Sequence, residues 1–219
     1  MSLWIKICAN TSLDDAMLAV DAGADAVGFV FAPSPRRVAP AQVAAIVPHL
    51  PPTVEKIGVF VETGLNEIEE TVRVTGLTGV QLHADAGPDT PAQLRNHFGP
   101  DFRILRVIHF GSGAAEEATA LSQDRNIDAV LVDSRTETAV GGTGIAFDWD
   151  SARADLFAGP RQKRLIAAGG LNPENVARAI ATLAPWGVDV ASGVESVPGR
   201  KDRAKVFEFV ANARTASQG

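Results

Sequence analysis

The sequence predicts an α/β protein: a single-domain (β/α)8 TIM barrel spanning 1–219. Three observations lead there. Eight short runs rich in Val and Ile alternate with eight longer amphipathic segments from one end of the chain to the other, the rhythm of repeated βαβ units. The runs are apolar almost throughout, not strictly alternating, as strands are when both faces are covered by packing. The length of 219 residues, 46% hydrophobic and 21% charged, suits one barrel around one core, so no second domain is required. An open doubly wound sheet is the alternative, and it lacks a GxGxxG after the first strand.

In chain order, the apolar runs place strands at 4–8, 26–31, 56–61, 79–83, 103–109, 129–134, 164–169 and 188–193. Helical periodicity falls between them at 13–22, 40–48, 64–75, 90–98, 114–124, 148–157, 173–183 and 201–214. Start signals mark several helices. Thr11-Ser12 precedes Leu13-Asp14-Asp15, Asp89-Thr90 precedes Pro91, and Asn172-Pro173-Glu174 offers Pro for a first helical position. Gly23, Gly76 and Gly187 stand after helices and before strands, where left-handed caps are expected.

Composition narrows the function classes. With 26 acidic against 20 basic residues the formal charge is -6, so no general attraction to nucleic acid or an anionic membrane is expected. Any bound anion must be held by a local site. One cysteine, Cys8, excludes an internal disulfide and a multi-cysteine metal cluster, which fits a reducing compartment. No apolar stretch approaches the ~20 residues of a membrane span and no secretory leader is evident, so a cytoplasmic location is expected.

A barrel of this kind carries its chemistry where the strands end. Those ends are polar here: Lys6-Ile7-Cys8, Pro35-Arg36-Arg37, Gln81-Leu82-His83, Asp133-Ser134-Arg135, Gly169-Gly170, and Asp189 followed by Ser192-Gly193-Val194-Glu195. A lone Cys on an apolar strand is either a small buried hydrophobe or a nucleophile or base. Lys6 shares an inward face with Cys8 by period-two alternation, so its cation is expected to favour the thiolate. Asp133 either caps the following turn or works in the pocket. Asp189, between two valines, needs a partner, either Lys6 or a neighbour, or a substrate group. The glycine-rich stretches after strands 7 and 8 can present backbone N–H groups to a phosphate. Gly141-Gly142-Thr143-Gly144 is a second phosphate-binding turn or a lid.

Taken together, 6–8 (KIC), 23–31 (GADAVGFVF) with 34–37 (SPRR), 79–83 (GVQLH), 131–133 (LVD), 141–144 (GGTG) with 147–149 (FDW), 169–176 (GGLNPENV) and 188–195 (VDVASGVE) resemble the phosphoribosylanthranilate isomerase family of tryptophan biosynthesis. The resemblance runs in order over nearly the whole chain. It implies the Amadori rearrangement of N-(5-phosphoribosyl)anthranilate to 1-(2-carboxyphenylamino)-1-deoxyribulose 5-phosphate, with no metal or organic cofactor. Its partners would be a small phosphorylated substrate, with no nucleic acid or membrane, in a monomer or homodimer. It further implies Cys8 as general base and Asp133 as general acid. Asp189, Arg37 and His83 would bind substrate, Arg37 being the pocket arginine and Arg36 the solvated one. The phosphate would rest on Gly142, Gly169, Gly170, Gly193 and Val194. The sequence departs from the family's usual pattern at Ala9 and Ala84, where Gly is usual, and at Asn10, where an apolar residue is.

Three other readings are separated by particular residues. A histidine-pathway isomerase, or a dual-substrate enzyme, would place Asp where the first strand ends in Cys8. A pentose-phosphate epimerase would need metal-binding His and Asp on several strands, and the chain has four histidines, of which His49 and His97 fall on helices. A phosphate-binding barrel without activity would keep the glycine loops and lose the acid or the base.

Overall fold

The structure is a computed structural model that describes residues 2–83, 86–133, 149–158 and 164–218. Eight parallel strands close into a barrel: β1 (Trp4–Ile7), β2 (Ala26–Val30), β3 (Glu55–Phe60), β4 (Gly79–Leu82), β5 (Arg103–His109), β6 (Ala129–Asp133), β7 (Arg164–Ala168) and β8 (Gly187–Val190). Each pairs with its neighbour in chain order, and β8 returns to β1 with Lys6 opposite Asp189. Helices follow the strands: α1 (Leu13–Asp21), α2 (Pro40–Ile46), α3 (Leu65–Thr75), α4 (Thr90–Phe98), α5 (Ala114–Gln123), α6 (Trp149–Ala152), α7 (Val176–Leu183) and α8 (Arg203–Ala216). The α6 helix continues in a wider π turn through Phe157. Among the described residues no helix is long and apolar enough to cross a membrane.

The strand residues divide by parity into two cores. Trp4, Ala26, Ile57, Leu105, Val107, Ala129, Leu131, Ile166 and Ala168 fill the barrel interior, while alternate residues such as Ile5, Val27, Val80, Ile104, Val130 and Val188 pack outward under the helices. This double coverage explains why the strands read as continuous apolar runs. The inward parity that begins with Trp4 continues through Lys6 to Cys8, and that of β4, β6 and β8 carries Gln81, Asp133 and Asp189. The polar positions therefore share the interior face and lie toward the strands' C-terminal ends.

Several local expectations hold and others shift. Ser12 caps α1 by accepting the Asp15 N–H at 3.1 Å, and Gly76 ends α3 in the left-handed region at φ 72°. Gly187 is no helix cap. The left-handed residue ending α7 is Ala184 at φ 45°, and Gly187 lies in β8, where a Cβ would meet the Trp4 carbonyl at 2.8 Å. Pro173 does not open α7 either. Asn172 and Asn175 exchange side-chain and backbone hydrogen bonds at 2.8 and 3.0 Å, forming a turn that delays the helix to Val176. Lys201, expected at the start of the last helix, belongs to an antiparallel hairpin of β9 (Glu195–Val197) and β10 (Arg200–Lys201).

Candidate active site

Closure of the barrel between β1 and β8 creates the first part of the site. The Lys6 ammonium, fully buried, donates to Asp189 Oδ1 at 2.6 Å and to Gln81 Oε1 at 2.9 Å, and its charge acts on the Cys8 thiol. Burial works against its charge, but Asp189 and Cys8 outweigh that and hold the Lys6 pKa above the ordinary lysine value. Both readings of Asp189 now have content: it is paired with Lys6, and its side chain retains 11% of its accessible surface at the barrel mouth.

Cys8 follows β1, its N–H bonded to the Val190 carbonyl at 2.8 Å. Room for its sulfur depends on Gly28 in β2, where a Cβ would stand 2.7 Å from Sγ. Burial pushes the thiol above its usual pKa. Lys6 and Lys201 pull it down and Asp189 pushes it up, and the net shift is upward. Lys6 thus acts in the expected direction, favouring the thiolate, and burial outweighs it. Ala9 takes the left-handed conformation at φ 62° and is buried, a backbone position that suits glycine. Asn10 is fully buried, and its amide donates to the Ile7 carbonyl at 2.8 Å and the Gly28 carbonyl at 3.2 Å, tying the start of the first loop to β1 and β2.

Asp133 ends β6, 6% exposed and in register with His109 of β5. His109 stands 6.1 Å from His83 across the ends of β4 and β5, ring centre to ring centre. Cys8, Asp189, His83 and Asp133 thus occupy strand ends around one rim.

The two arginines differ in burial, and Arg36 is not the solvated residue expected. Arg36 is the half-buried one: Nε donates to Glu195 Oε1 at 2.8 Å and Nη2 to Oε2 at 2.7 Å, a forked pair with a carboxylate whose side chain is 4% exposed. It also lies close enough to Cys8 for their charges to interact. Arg37 is exposed, and its position is fixed by a backbone bridge to Val30. The reason is Glu195, a buried carboxylate that requires a cation and lies on the Arg36 side of the loop. Burial raises the Glu195 pKa, but Arg36 and Lys201 more than offset it and hold the carboxyl below the usual carboxylate range.

Lys201 is the functional-region residue that sequence patterns missed. Its side chain is fully buried; its ammonium donates to the Cys8 carbonyl at 2.5 Å and the Ala191 carbonyl at 3.2 Å, and lies 3.4 Å from Glu195 Oε1. The available signal was Pro198-Gly199 flanked by Glu195 and Lys201, the chemistry of a tight turn between paired segments. Gly199 adopts φ 81°.

The loops after β7 and β8 interlock. Gly169 and Gly170 are left-handed at φ 81° and 66°, and a Cβ on Gly193 would stand 1.9 Å from the Leu171 carbonyl oxygen. Ser192–Val194 forms a single 3-10 turn with Val194 buried beneath it. Gly142 and Ala84 lie outside the described residues.

Residues 5–212 match the sequence family described as N-(5'phosphoribosyl)anthranilate (PRA) isomerase. A curated relative, the N-(5'-phosphoribosyl)anthranilate isomerase of Geobacter sp. (strain M21), is 43% identical over 97% of this chain and 98% of its own. The crystal structure of phosphoribosyl anthranilate isomerase from Thermotoga maritima superposes with a TM-score of 0.82 at 33% identity, covering 97% of this chain and 99% of that one. A phosphoribosyl anthranilate isomerase in complex with reduced 1-(o-carboxyphenylamino)-1-deoxyribulose 5-phosphate gives 0.79 at 32% identity, with the same coverage.

Proposed function

The chain belongs to the N-(5'-phosphoribosyl)anthranilate isomerase family, and from that premise we propose that it carries out the Amadori isomerisation of tryptophan biosynthesis with Cys8 as general base and Asp133 as general acid. The reaction opens a furanose ring and moves a proton. An acid gives a proton to the ring oxygen as the C1′–O bond breaks, leaving a Schiff base; a base then takes the C2′ proton, and the resulting enolamine tautomerises to the ketone. No external reductant, oxidant or added group is needed. The observation that carries this reading is the pairing of a buried thiol after β1 with a buried carboxyl ending β6 on one rim of the barrel.

The other side chains supply binding. Asp189, fixed by Lys6, and His83 face the sugar and anthranilate portion of the substrate. The cation that attracts the anionic groups is Arg37, exposed in the loop after β2, since the Arg36 guanidinium is taken up by Glu195. The phosphate rests on the backbone of the interlocked loops around Gly169, Gly170, Gly193 and Val194, held by N–H groups without a cationic side chain of their own.

Following the loss of the fluorescent anthranilate adduct with purified protein tests the activity. The expected result is conversion far above spontaneous decay. Decay at the spontaneous rate would leave a barrel that only binds phosphorylated ligands.

A further inference from the structure

The Lys201 cluster is unaccounted for by the proposed chemistry. Burying an ammonium completely is costly, and an apolar side chain would fill the same space more cheaply, so its three contacts must be worth keeping. Two are the carbonyls of Cys8 and Ala191, one just after β1 and the other just after β8, where these two neighbouring strands end beside the thiol. The third, Glu195, lies at 3.4 Å and is drawn toward Arg36, which holds it with contacts of 2.7–3.0 Å. The other cation near the thiol, Lys6, is neutralised by Asp189 at 2.6 Å. Lys201 is therefore the less cancelled of the two charges. Its backbone is also fixed, for its N–H donates to the buried Asp15 of α1 at 3.0 Å.

We propose that Lys201 is a positioning residue: its buried ammonium anchors the Cys8 backbone and supplies the fixed positive charge against which the thiolate forms. The inference rests on Cys8 being the base. Its electrostatic part agrees with Lys201 drawing the Cys8 pKa downward against burial, a smaller pull than that of Lys6, which Asp189 opposes; burial draws the Lys201 pKa itself below the ordinary lysine value, with Glu195 working to hold it up.

Because Cys8 is the one cysteine of the chain, alkylation by iodoacetamide across a pH series reads its titration directly. Lys201→Gln keeps an amide donor for the carbonyls and removes the charge. Its thiol should titrate about one pH unit higher than the native one, with alkylation near neutrality about tenfold slower. Lys201→Arg keeps the charge and should titrate at or below the native position. A glutamine variant that melts earlier yet titrates as the native protein does would overturn the proposal and leave Lys201 a structural bolt. If the glutamine variant does not fold, the arginine variant decides alone, and an upward shift there overturns it. The pH profile of kcat/KM separates the two inferences. A shifted thiol titration with an unmoved activity profile would remove Cys8 from the base's role while leaving the effect of Lys201 on the thiol intact.

Discussion

Cys8 faces two opposed demands, since a base must shed its proton and a buried thiol holds it. With burial dominant, the thiol titrates above its ordinary value, so the alkaline limb of the kcat/KM profile should lie above ~8.5 and coincide with the alkylation titration of Cys8. An alkaline limb that does not follow that titration would separate the thiol from the rate. Cys8→Ser should lower kcat by ~10²–10⁴-fold and leave product-analogue affinity within a few-fold, measured by single-turnover kinetics and titration. Asp133→Asn should likewise keep the fold and product binding while losing turnover; unfolding instead would make Asp133 a turn residue. For the arginines, Arg37→Ala should reduce kcat/KM about tenfold with a clear ionic-strength dependence, and Arg36→Ala, which removes the partner of the buried Glu195, should act mainly on stability. Equal small effects across a salt series would return both to the surface. Ala9→Gly relieves a left-handed alanine, and should raise the unfolding free energy by ~1 kcal/mol in urea titrations.

At the scale of elements, the loops after β7 and β8 act as one unit because Gly193 packs on the Leu171 carbonyl. Even a methyl group there would collide with backbone at 1.9 Å, so Gly193→Ala should part the loops and raise KM for the phosphorylated substrate more than it lowers kcat. An unchanged KM would place the phosphate elsewhere. The same elements show where local patterns stop being sufficient. The eight strands and their order were legible from apolar runs, and the Ser12 and Gly76 caps from residue type. The start of α7 and the role of Gly187 were not. The Asn172–Asn175 exchange competes with the proline signal, and the ring and backbone of Trp4, far away in sequence, determine why position 187 has no side chain.

Across the whole molecule, the barrel closes over a buried ion pair, Lys6 with Asp189, at the seam between the first and last strands. Removing one partner strands the other charge, so Lys6→Met should cost ~3–5 kcal/mol of stability. The double replacement Lys6→Met with Asp189→Leu should cost less than the two single changes added together, since no unpaired charge remains. Additive losses would mean that the pair does not couple the seam. Activity should disappear in either case if Asp189 orients substrate.

Taken alone, the sequence determined the class of fold, the strand and helix order, and the identity of the rim residues Cys8, Asp133 and Asp189, because each follows from periodicity along the chain or from where an apolar run stops. Only the tertiary structure decided that Arg36 pairs with a buried carboxylate, that burial raises the Cys8 pKa, and that Lys201 stands behind the thiol. Those outcomes depend on charges brought together from distant positions, Glu195 to Arg36 and Lys201 to the Cys8 carbonyl, and on how completely water is excluded around them. Burial and pairing are properties of contacts, and a period of two or of 3.6 residues carries no record of them.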